Sequence, residues 1–306
     1  MQIFSTGQLR AQSFSVQVSN RTRCNAGCRF CISQTTPGET DEEASLEICN
    51  MGRLEVGLNY AKHLGATHAI LTGKADPSQE NNEYLCDLIK TARRYLPLVD
   101  FHTNGFLLGR KPEILPMLVQ AGLTMITFSI ASFDQEINAS LMRIRQETDQ
   151  LIKLARKHRL LVRCSLVMNR LGVRDFDGVI DYIRQAGELG AHMVVVREVW
   201  VPEVYGEYNH TVYEWNRQNQ ILIKPIQEQF RQIAKDPVNP FGLHERDPLP
   251  WGTPVFVMDG FTKKSHGVNI TFACCDEATS GPVIKSIVHR DDHGFRNWDH
   301  AGDVLY

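Results

Sequence analysis

Three cysteines lie within eight residues of one another in the segment RTRCNAGCRFCISQ, residues 21–34. Cys24, Cys28 and Cys31 have the spacing C-x3-C-x2-C, and turn-forming residues such as Asn25 and Gly27 lie between them. Cysteine thiolates bind soft metal ions and iron–sulfur clusters. Cysteines that only fill a hydrophobic core have no physical reason to gather in a turn. The spacing therefore indicates a metal-binding or catalytic loop.

Two kinds of metal site fit such a loop. A structural zinc ion takes four ligands, commonly as two pairs, and this sequence has no second cysteine pair at zinc-finger spacing, although a distant residue such as His102 or Cys275 could complete a site. A cubane iron–sulfur cluster takes its thiolates from closely spaced cysteines. Three protein ligands leave one iron of the cubane open to bind a substrate or a cofactor.

The loop resembles the signature of the radical S-adenosylmethionine (radical SAM) superfamily, C-x3-C-x-Φ-C, with Phe30 at the aromatic position Φ. The resemblance implies that Cys24, Cys28 and Cys31 hold a [4Fe-4S] cluster, whose open iron chelates the amino and carboxylate groups of S-adenosylmethionine. One electron from the cluster then cleaves the sulfonium and gives a 5′-deoxyadenosyl radical. The resemblance also implies an oxygen-sensitive enzyme that receives its electron from a donor such as flavodoxin or ferredoxin.

The elements that must position this loop form a repeating strand–helix pattern. Short apolar runs predict strands at residues 13–18, 68–72, 99–103, 125–130, 161–168 and 192–199. Amphipathic stretches between them predict helices at residues 46–64, 82–95, 111–121, 146–158 and 176–189, several of them ending at glycine. Alternating strands and helices predict an α/β protein with a parallel sheet. The resemblance implies a partial (β/α)6 barrel of the TIM type, and the six strands fit it.

Ligands of such folds gather at the carboxyl ends of the strands, so the residues that follow each predicted strand are candidate cofactor contacts. Asp76 stands where the family usually has glutamate in its glycine-rich segment, here LTGKADPSQ, and Asn104 lies in FHTNG, which resembles the family's TNG. The resemblance and the strand ends together give these candidate contacts: Phe30, Thr72, Gly73, Asp76, Asn104, Ser129, Arg163 and Arg197.

The two arginines have a second interpretation. Either one could bind the cofactor carboxylate in a bidentate manner. An arginine on an inner strand face is costly to bury unless it is paired, so each could instead form an Arg–Glu pair that braces the barrel floor.

The pattern changes near Pro202, which predicts a barrel core over residues 1–202 and a C-terminal extension, residues 203–306, that closes the barrel and contacts substrate. Cys274 and Cys275 lie in the extension. Some radical SAM epimerases resemble this layout, and the resemblance implies that one of these thiols could donate a hydrogen atom to the substrate radical and so invert the carbon centre. Rearrangement, dehydrogenation and peptide crosslinking are alternative fates of the radical. The alternative is a buried thiol pair in a strand. The segments TFSIASFDQEINASLM and AGELGAHMVVVREVWVP resemble the MoaA/PqqE-like branch of the superfamily.

Composition limits the remaining classes. The chain has 306 residues, 42% hydrophobic residues and a formal net charge of −2, so it gives no general attraction to nucleic acid or to anionic membranes. No apolar run is long enough for a membrane span, and the amino terminus lacks the pattern of a signal peptide. We therefore expect a cytoplasmic enzyme that acts on a small molecule or a peptide. The alternatives are a non-catalytic zinc-binding α/β protein and an RNA-modifying radical SAM enzyme.

Overall fold

A computed structural model of the chain describes residues 9–19, 24–35, 49–201, 209–250, 252–261, 267–273, 282–290, 292–296 and 304–306. The strands are β1 (Arg10–Ser19), β2 (His68–Gly73), β3 (Leu98–Thr103), β4 (Met125–Ser129), β5 (Leu161–Val167), β6 (Met193–Arg197), β7 (Leu243–Arg246), β8 (Val255–Met258), β9 (Val268–Ala273), β10 (Val283–Arg290) and β11 (His293–Phe295). The helices are α1 (Met51–His63), α2 (Asn82–Tyr95), α3 (Phe106–Arg110), α4 (Ile114–Ala121), α5 (Gln135–Met142), α6 (Thr148–Lys157), α7 (Phe176–Leu189), α8 (His210–Asn219) and α9 (Lys224–Ala234).

These strands form one sheet with the order β11-β10-β1-β2-β3-β4-β5-β6-β9-β8-β7. Strands β1 to β6 pair in parallel and in chain order, as the strand–helix pattern predicts. Strand β10 extends the parallel part beside β1, and β9 extends it beside β6. The two ends of the sheet, β11 and β7, do not pair with each other in the part of the chain that the structure describes. The predicted α/β fold with an unclosed parallel barrel is confirmed.

The predicted elements of the first two hundred residues are present. Helices α2 and α7 have the predicted bounds. The predicted helix at residues 111–121 begins only at Ile114, because the separate short helix α3 ends at Arg110 and Lys111 leaves the helical conformation as its cap. Helices α4 and α7 end at Gly122 and Gly190, whose positive φ angles of 112° and 102° are easily adopted only by glycine.

The C-terminal extension differs most from the prediction. After residue 202 the sequence favours an aromatic-rich loop, one helix and short strands at residues 254–258 and 268–272. The structure has two helices, α8 and α9, and the strands β8 and β9 at the two apolar runs. Two strands of the extension, β9 and β10, pair with opposite edges of the sheet formed by β1 to β6. The predicted boundary at residue 202 stays a prediction, since residues 202–208 lie outside the described residues. No helix in the described ranges is long and apolar enough to cross a membrane.

The two faces of the sheet differ in chemistry. On β3, Val99 and Phe101 are fully buried in the apolar core between the sheet and the helices. Asp100 and His102 alternate with them and therefore point to the inner face of the barrel. Serine and glutamine alternate with apolar residues on β1 in the same way, and Gln17 is 5% exposed. The barrel interior is therefore polar.

Candidate functional site

The cysteine loop follows β1 at the edge where the parallel strands end. Cys24, Cys28 and Cys31 are all partly exposed. Backbone hydrogen bonds fix the loop against the end of α5, from Gly27 N to Met142 O at 3.1 Å and from Arg29 N to Leu141 O at 2.9 Å. The three thiols are thus carried on a loop with defined anchors.

Burial and neighbouring thiols affect the pKa of Cys24 and of Cys28. Burial raises the pKa of the Cys28 thiol, and the neighbouring thiols of Cys31 and Cys24 raise it further. Burial also raises the pKa of Cys24. Without a metal these two thiols therefore stay protonated, and metal binding would displace their protons.

The side-chain geometry bears on which metal fits. No group of three His, Cys, Asp or Glu side chains among the described residues could hold a single metal ion. In a cubane cluster the protein thiolates bind different irons, so they surround the cluster and need not converge on one point. His102, the residue offered as a distant zinc ligand, contacts Asp100 and Arg163. The His102 imidazole is therefore already engaged inside the barrel, and Cys275, the other residue offered as a distant zinc ligand, lies outside the described residues.

Amide groups surround the sulfur of Cys24. Ala26 N lies 3.5 Å and Asn104 Nδ2 lies 3.7 Å from Cys24 Sγ, and Asn104 Nδ2 also donates to Asn25 Oδ1 at 2.7 Å. The Nδ2 atom of Asn25 is buried and has no hydrogen-bond partner within the described ranges. Hydrogen bonds to the sulfur atoms of an iron–sulfur site tune its potential. These amide donors therefore fit an iron–sulfur cluster bound through the sulfur of Cys24.

Asp76 joins the ends of β2 and β3. Its carboxylate accepts hydrogen bonds from Ser78 N (2.9 Å), Ser78 Oγ (2.5 Å), Thr103 Oγ1 (2.9 Å) and Asn104 N. Burial raises the pKa of Asp76, and the hydrogen bonds from Ser78, Asn104 and Thr103 act in the opposite direction. Both carboxylate oxygens are therefore used inside the protein. This favours a positioning role, in which Asp76 orients Asn104 toward Cys24.

Thr72 and Gly73 end β2 beside the loop. Thr72 is half-buried and pairs in register with Gln17 on β1. A Cβ atom at Gly73 would lie 2.9 Å from both the N and the O atom of Ser19. Glycine is needed here because the backbone of β1 passes too close for a side chain. Gly73 stays a predicted cofactor contact, and the close approach that the structure shows is to the backbone of β1.

Ser129 ends β4, and a residue that sequence analysis missed holds this strand end. The Nε2 atom of Gln146 donates to Ser129 O at 3.1 Å and to Asn104 O, and its Oε1 atom accepts from Asn138 Nδ2 at 2.5 Å. Asn138 Oδ1 in turn accepts from Ala131 N at 2.9 Å. These buried amides link the ends of β3 and β4 with α5. A glutamine at the start of a helix carries no distinctive sequence signal.

Arg163 lies on the inner face and is paired. Its guanidinium donates to the carboxylate of Asp100, and its Nε atom donates to Thr127 Oγ1 at 3.0 Å. Asp100 is fully buried and also accepts from His102 Nε2 at 2.9 Å and Thr127 Oγ1 at 2.9 Å. Burial by itself would raise the pKa of Asp100, but the Arg163 charge and the hydrogen bonds outweigh it and hold this pKa well below its usual value. The partner of Arg163 is an aspartate and not the glutamate that the bracing interpretation expected.

Arg197 lies at the C-terminal end of β6. Its Nε atom donates to Ser165 Oγ at 3.0 Å, and its charge helps to lower the pKa of His102, after the larger effect of burial. It is paired in register with Val167 and Ala273. Arg197 is therefore nearer than Arg163 to the edge that carries the cysteine loop.

Helix α8 contacts two segments at the carboxyl edge of the sheet. At one side Asn209 N and Nδ2 donate to Gln34 O (3.1 Å) and Oε1 (2.9 Å), just after the cysteines, and the rings of Trp215 and Phe30 are 6.3 Å apart. At the other side Asn216 Nδ2 donates to Trp200 O at 3.0 Å, beyond the end of β6. The helix therefore connects the loop after β1 with the segment that follows β6.

A sequence model of the Radical SAM superfamily matches residues 21–184, which is more than half of the chain. The chain belongs to the radical SAM superfamily. Membership implies an enzyme of the class that cleaves S-adenosylmethionine by radical chemistry, and it implies an iron–sulfur cluster and S-adenosylmethionine as cofactors. The MoaA/PqqE-like branch stays a prediction.

Solved structures of radical SAM enzymes are similar to this chain at low identity. Streptococcus suis SuiB bound to the precursor peptide SuiA is 16% identical, with a TM-score of 0.48, over 62% of this chain and 40% of SuiB. Methylornithine synthase (PylB) is 15% identical, with a TM-score of 0.46, over 62% of this chain and 54% of that one. Coproporphyrinogen III oxidase (HemN) from Escherichia coli is 12% identical, with a TM-score of 0.44, over 74% and 53%.

The chain spans about two fifths of the length of SuiB and about half of the other two. No curated protein sequence matches it in the comparison made.

Two predicted residues of this radical SAM enzyme, Cys274 and Cys275, lie outside the described residues. The strand that precedes them, β9, ends at Ala273, which pairs in register with Arg197. Because β9 is parallel to β6, it ends at the same edge of the sheet as the strand before the cysteine loop.

Proposed function

We propose that Cys24, Cys28 and Cys31 hold a [4Fe-4S] cluster whose open iron binds S-adenosylmethionine. The observation that carries the proposal is the anchored loop, which places three thiols at the carboxyl edge of the sheet with the Asn104 amide on Cys24. When bound, these cofactors supply a 5′-deoxyadenosyl radical that abstracts a hydrogen atom from the substrate. The protein's part is to hold, orient and enclose them.

The candidate contacts divide by their position. Phe30, Asn104 and Arg197 lie at the carboxyl edge, and we propose that they contact the cofactor there, as do Thr72 and Ser129 at the ends of their strands. Asp76 and Gly73 contribute indirectly, because Asp76 positions the backbone at Asn104 and Gly73 allows the backbone of β1 to pass close by. Arg163 is the weakest candidate for direct contact, since Asp100 and Thr127 already engage its guanidinium.

The substrate is a polar small molecule or a peptide that binds inside the barrel under α8. Two observations support this class. The inner face carries the Asp100 network and Gln17, whose Oε1 atom is buried without a partner among the described residues. Asn216, on α8, is fully buried, and its Oδ1 atom also has no partner within the described ranges. Buried acceptors of this kind are normally satisfied, so a substrate or cofactor with hydroxyl or amino donors would complete them.

Epimerisation is our proposal for the fate of the substrate radical. It is supported by the end of β9 at the same edge as the cysteine loop, since Cys274 and Cys275 follow directly in the sequence. A thiol there would donate a hydrogen atom to the radical and become a thiyl radical, which one electron from the external donor and one proton would return to the thiol. In deuterated water the product should gain one deuterium. This incorporation should be lost in one of the two variants, Cys274→Ala or Cys275→Ala. We propose a cytoplasmic location, where these thiols stay reduced.

Anaerobic reconstitution followed by metal analysis tests the cofactor proposal. We expect about four irons per chain and 5′-deoxyadenosine after addition of a reductant and S-adenosylmethionine, detected by mass spectrometry. Both should be lost in Cys28→Ala and kept in the control Cys86→Ala, which removes a partly exposed thiol on α2. One zinc per chain without iron, and no 5′-deoxyadenosine, would contradict the proposal and favour the zinc-binding alternative.

A further inference from the structure

A row of polar side chains crosses the inner face of the barrel, one from each of the strands β1 to β5. Gln17 pairs in register with Thr72, His102 with Thr127, and Thr127 with Arg163. Thr72 and His102 each lie one residue beyond the last pair between β2 and β3. The residue before each of the five belongs to the apolar core between the sheet and the helices, so the five side chains point to the barrel interior. We call these five residues the inner row.

Gln17 forms one end of the inner row, and its carboxamide has no hydrogen-bond partner among the described residues. The side chain is 5% exposed, and its Oε1 atom is buried without a donor within the described ranges. Its Nε2 atom donates to no group there either. A carboxamide offers an acceptor and two donors, and buried groups of this kind are normally paired. Gln17 therefore has both a donor and an acceptor left for a ligand.

His102 lies two strands away and offers a second acceptor. Its Nε2 atom lies 2.9 Å from Asp100 Oδ2 and 2.9 Å from Arg163 Nη2. The ionised carboxylate only accepts, and the Arg163 guanidinium already donates to it, so Nε2 carries the proton and donates to Asp100. The other tautomer would set a lone pair against the carboxylate. The Nδ1 atom is thus an acceptor, and it has no partner in the part of the chain that the structure describes.

The His102 imidazole is neutral and can be reached from the barrel interior. Burial lowers the pKa of His102 and outweighs the opposite effect of Asp100. The imidazole is therefore uncharged at neutral pH, where its free nitrogen accepts a hydrogen bond. The side chain is 20% exposed, and the exposed part includes Nδ1.

The charges of the inner row select against anions. Asp100 neutralises the Arg163 guanidinium, so the row leaves no uncompensated cation among the described residues. A phosphate or a carboxylate at Gln17 Oε1 and His102 Nδ1 would meet only lone pairs there. The row also has no apolar side chain, so the apolar side chains of a peptide would find no matching surface on it. Hydroxyl and amino groups satisfy both residues.

The spacing of the strands limits the size of the ligand. Gln17 and His102 come from β1 and β3, and neighbouring strands lie about 4.8 Å apart, so the two backbones are separated by about 10 Å. The two side chains therefore meet different groups of one ligand, which suits a molecule of about one sugar ring. Thr72, a proposed cofactor contact, lies on β2 between them. A ligand that bridges the two residues thus lies beside the cofactor contact, where hydrogen abstraction requires the substrate.

We propose that Gln17 and His102 select the substrate, which is a small polyhydroxylated molecule without anionic groups, such as a sugar or an aminocyclitol. Its hydroxyl or amino groups donate to Gln17 Oε1 and to His102 Nδ1, and one of its oxygen atoms accepts from Gln17 Nε2. Asp100 acts through His102 as a positioning residue. This inference rests on the proposed function, because the radical supplied by the cofactors is what makes this ligand a substrate.

Ligand binding to the reconstituted enzyme with S-adenosylmethionine tests the proposal. The first set of probes contains hexoses, aminohexoses and aminocyclitols, and the comparison set contains hexose phosphates, hexuronic acids and tetrapeptides. Saturation-transfer NMR detects binding, and calorimetry measures the Kd. We expect the first set to bind and the comparison set to bind more weakly.

Two substitutions on different strands assign the binding to the inner row. Gln17→Met and His102→Gln should each raise the Kd of the tightest probe by about tenfold. The amide nitrogen in His102→Gln can still donate to Asp100, whereas the acceptor at the Nδ1 position is gone. The matched control Ser13→Ala, on the same face of β1 but outside the inner row, should leave the Kd unchanged. Circular dichroism checks that each variant is folded.

The outcomes separate the two proposals. An unchanged Kd in either folded variant would overturn the role of the inner row, and so would an equal loss in Ser13→Ala. Tightest binding by a phosphate, a uronic acid or a peptide would overturn the substrate class, as would no binding by any compound of the first set. Absence of 5′-deoxyadenosine from the unmodified enzyme, after addition of a reductant and S-adenosylmethionine, would instead contradict the proposed function, and the binding measurements do not depend on that result.

Discussion

Replacing Arg163 with methionine distinguishes a barrel brace from a cofactor contact. The Asp100 carboxylate is fully buried, and Arg163 supplies its cationic partner. The substitution keeps most of the side-chain volume and removes the charge. It therefore leaves a buried carboxylate whose remaining donors include Thr127 and His102.

The expected loss of stability follows from this burial. Removing one partner of a buried ion pair costs ~3–5 kcal/mol. We expect about 3 kcal/mol, the lower end of that range, because Thr127 and His102 continue to donate and because Arg163 is itself 17% exposed. Replacing Asp100 with asparagine in the same chain removes the orphaned charge and should recover part of the loss.

The pH dependence gives the sign of the effect. The pKa of Asp100 is depressed in the folded protein, so the pair stabilises the fold above the ordinary carboxyl pKa, and that contribution is lost as the pH falls through the depressed value. In Arg163→Met the positive charge that opposed the effect of burial is gone, so the pKa of Asp100 rises. The difference between the two proteins should therefore be largest near neutral pH. It should shrink as the pH falls from the higher pKa of Asp100 in the variant to its depressed pKa in the unmodified protein.

Urea unfolding of the apoprotein measures the free energy of unfolding, and calorimetry on the reconstituted protein measures the affinity for S-adenosylmethionine. The bracing interpretation requires a large loss of stability and a coupled recovery in the double variant. A loss below about 1 kcal/mol, typical of an exposed ion pair, together with an affinity weakened by tenfold or more, would refute the reasoning and make Arg163 a cofactor ligand.

Three further substitutions test the positioning of the site. Gln146→Leu should lower the free energy of unfolding, measured with urea, by about 1–3 kcal/mol, because buried carbonyl groups and a buried amide lose their hydrogen-bond partner. Gly73→Ala should reduce the iron bound per chain after reconstitution, since its Cβ would collide with the backbone of β1, whereas the control Gly109→Ala, with its nearest contact at 3.8 Å, should not. Trp215→Ala should weaken S-adenosylmethionine binding by several-fold in calorimetry, since losing the ring contact with Phe30 is worth ~0.5–1.5 kcal/mol.

Local sequence patterns predicted the parts of the site that depend on one segment at a time. The cysteine spacing marked the loop, and short apolar runs marked the six strands. The common edge followed from parallel pairing, because the residues after Thr103 and Ser129 must then lie near the end of β1. Glycine stop signals at Gly122 and Gly190 were reliable because a positive φ has few other solutions.

The contacts between distant segments were not predicted. The residues of β10 carry no signal that they pair with β1 and not with a neighbouring hairpin. Periodicity indicates which face of a strand is buried, but it does not indicate which strand is its partner. The Asp100 network had a signal that was overlooked. In the run VDFHT the polar residues alternate with apolar ones, and this alternation places Asp100 and His102 together on one face.

The strand order changes the meaning of the predicted division at residue 202. The cluster loop follows β1, and β1 is paired on one side by β10 of the extension, with Phe14 opposite Ile287 and Val16 opposite His289. Strand β9 covers β6 in the same way at the other side. Without the extension both strands would be open edges with unpaired backbone groups. The extension is therefore part of the sheet that positions the cysteines, and its helix α8 contacts the cysteine loop directly through the hydrogen bond from Asn209 to Gln34.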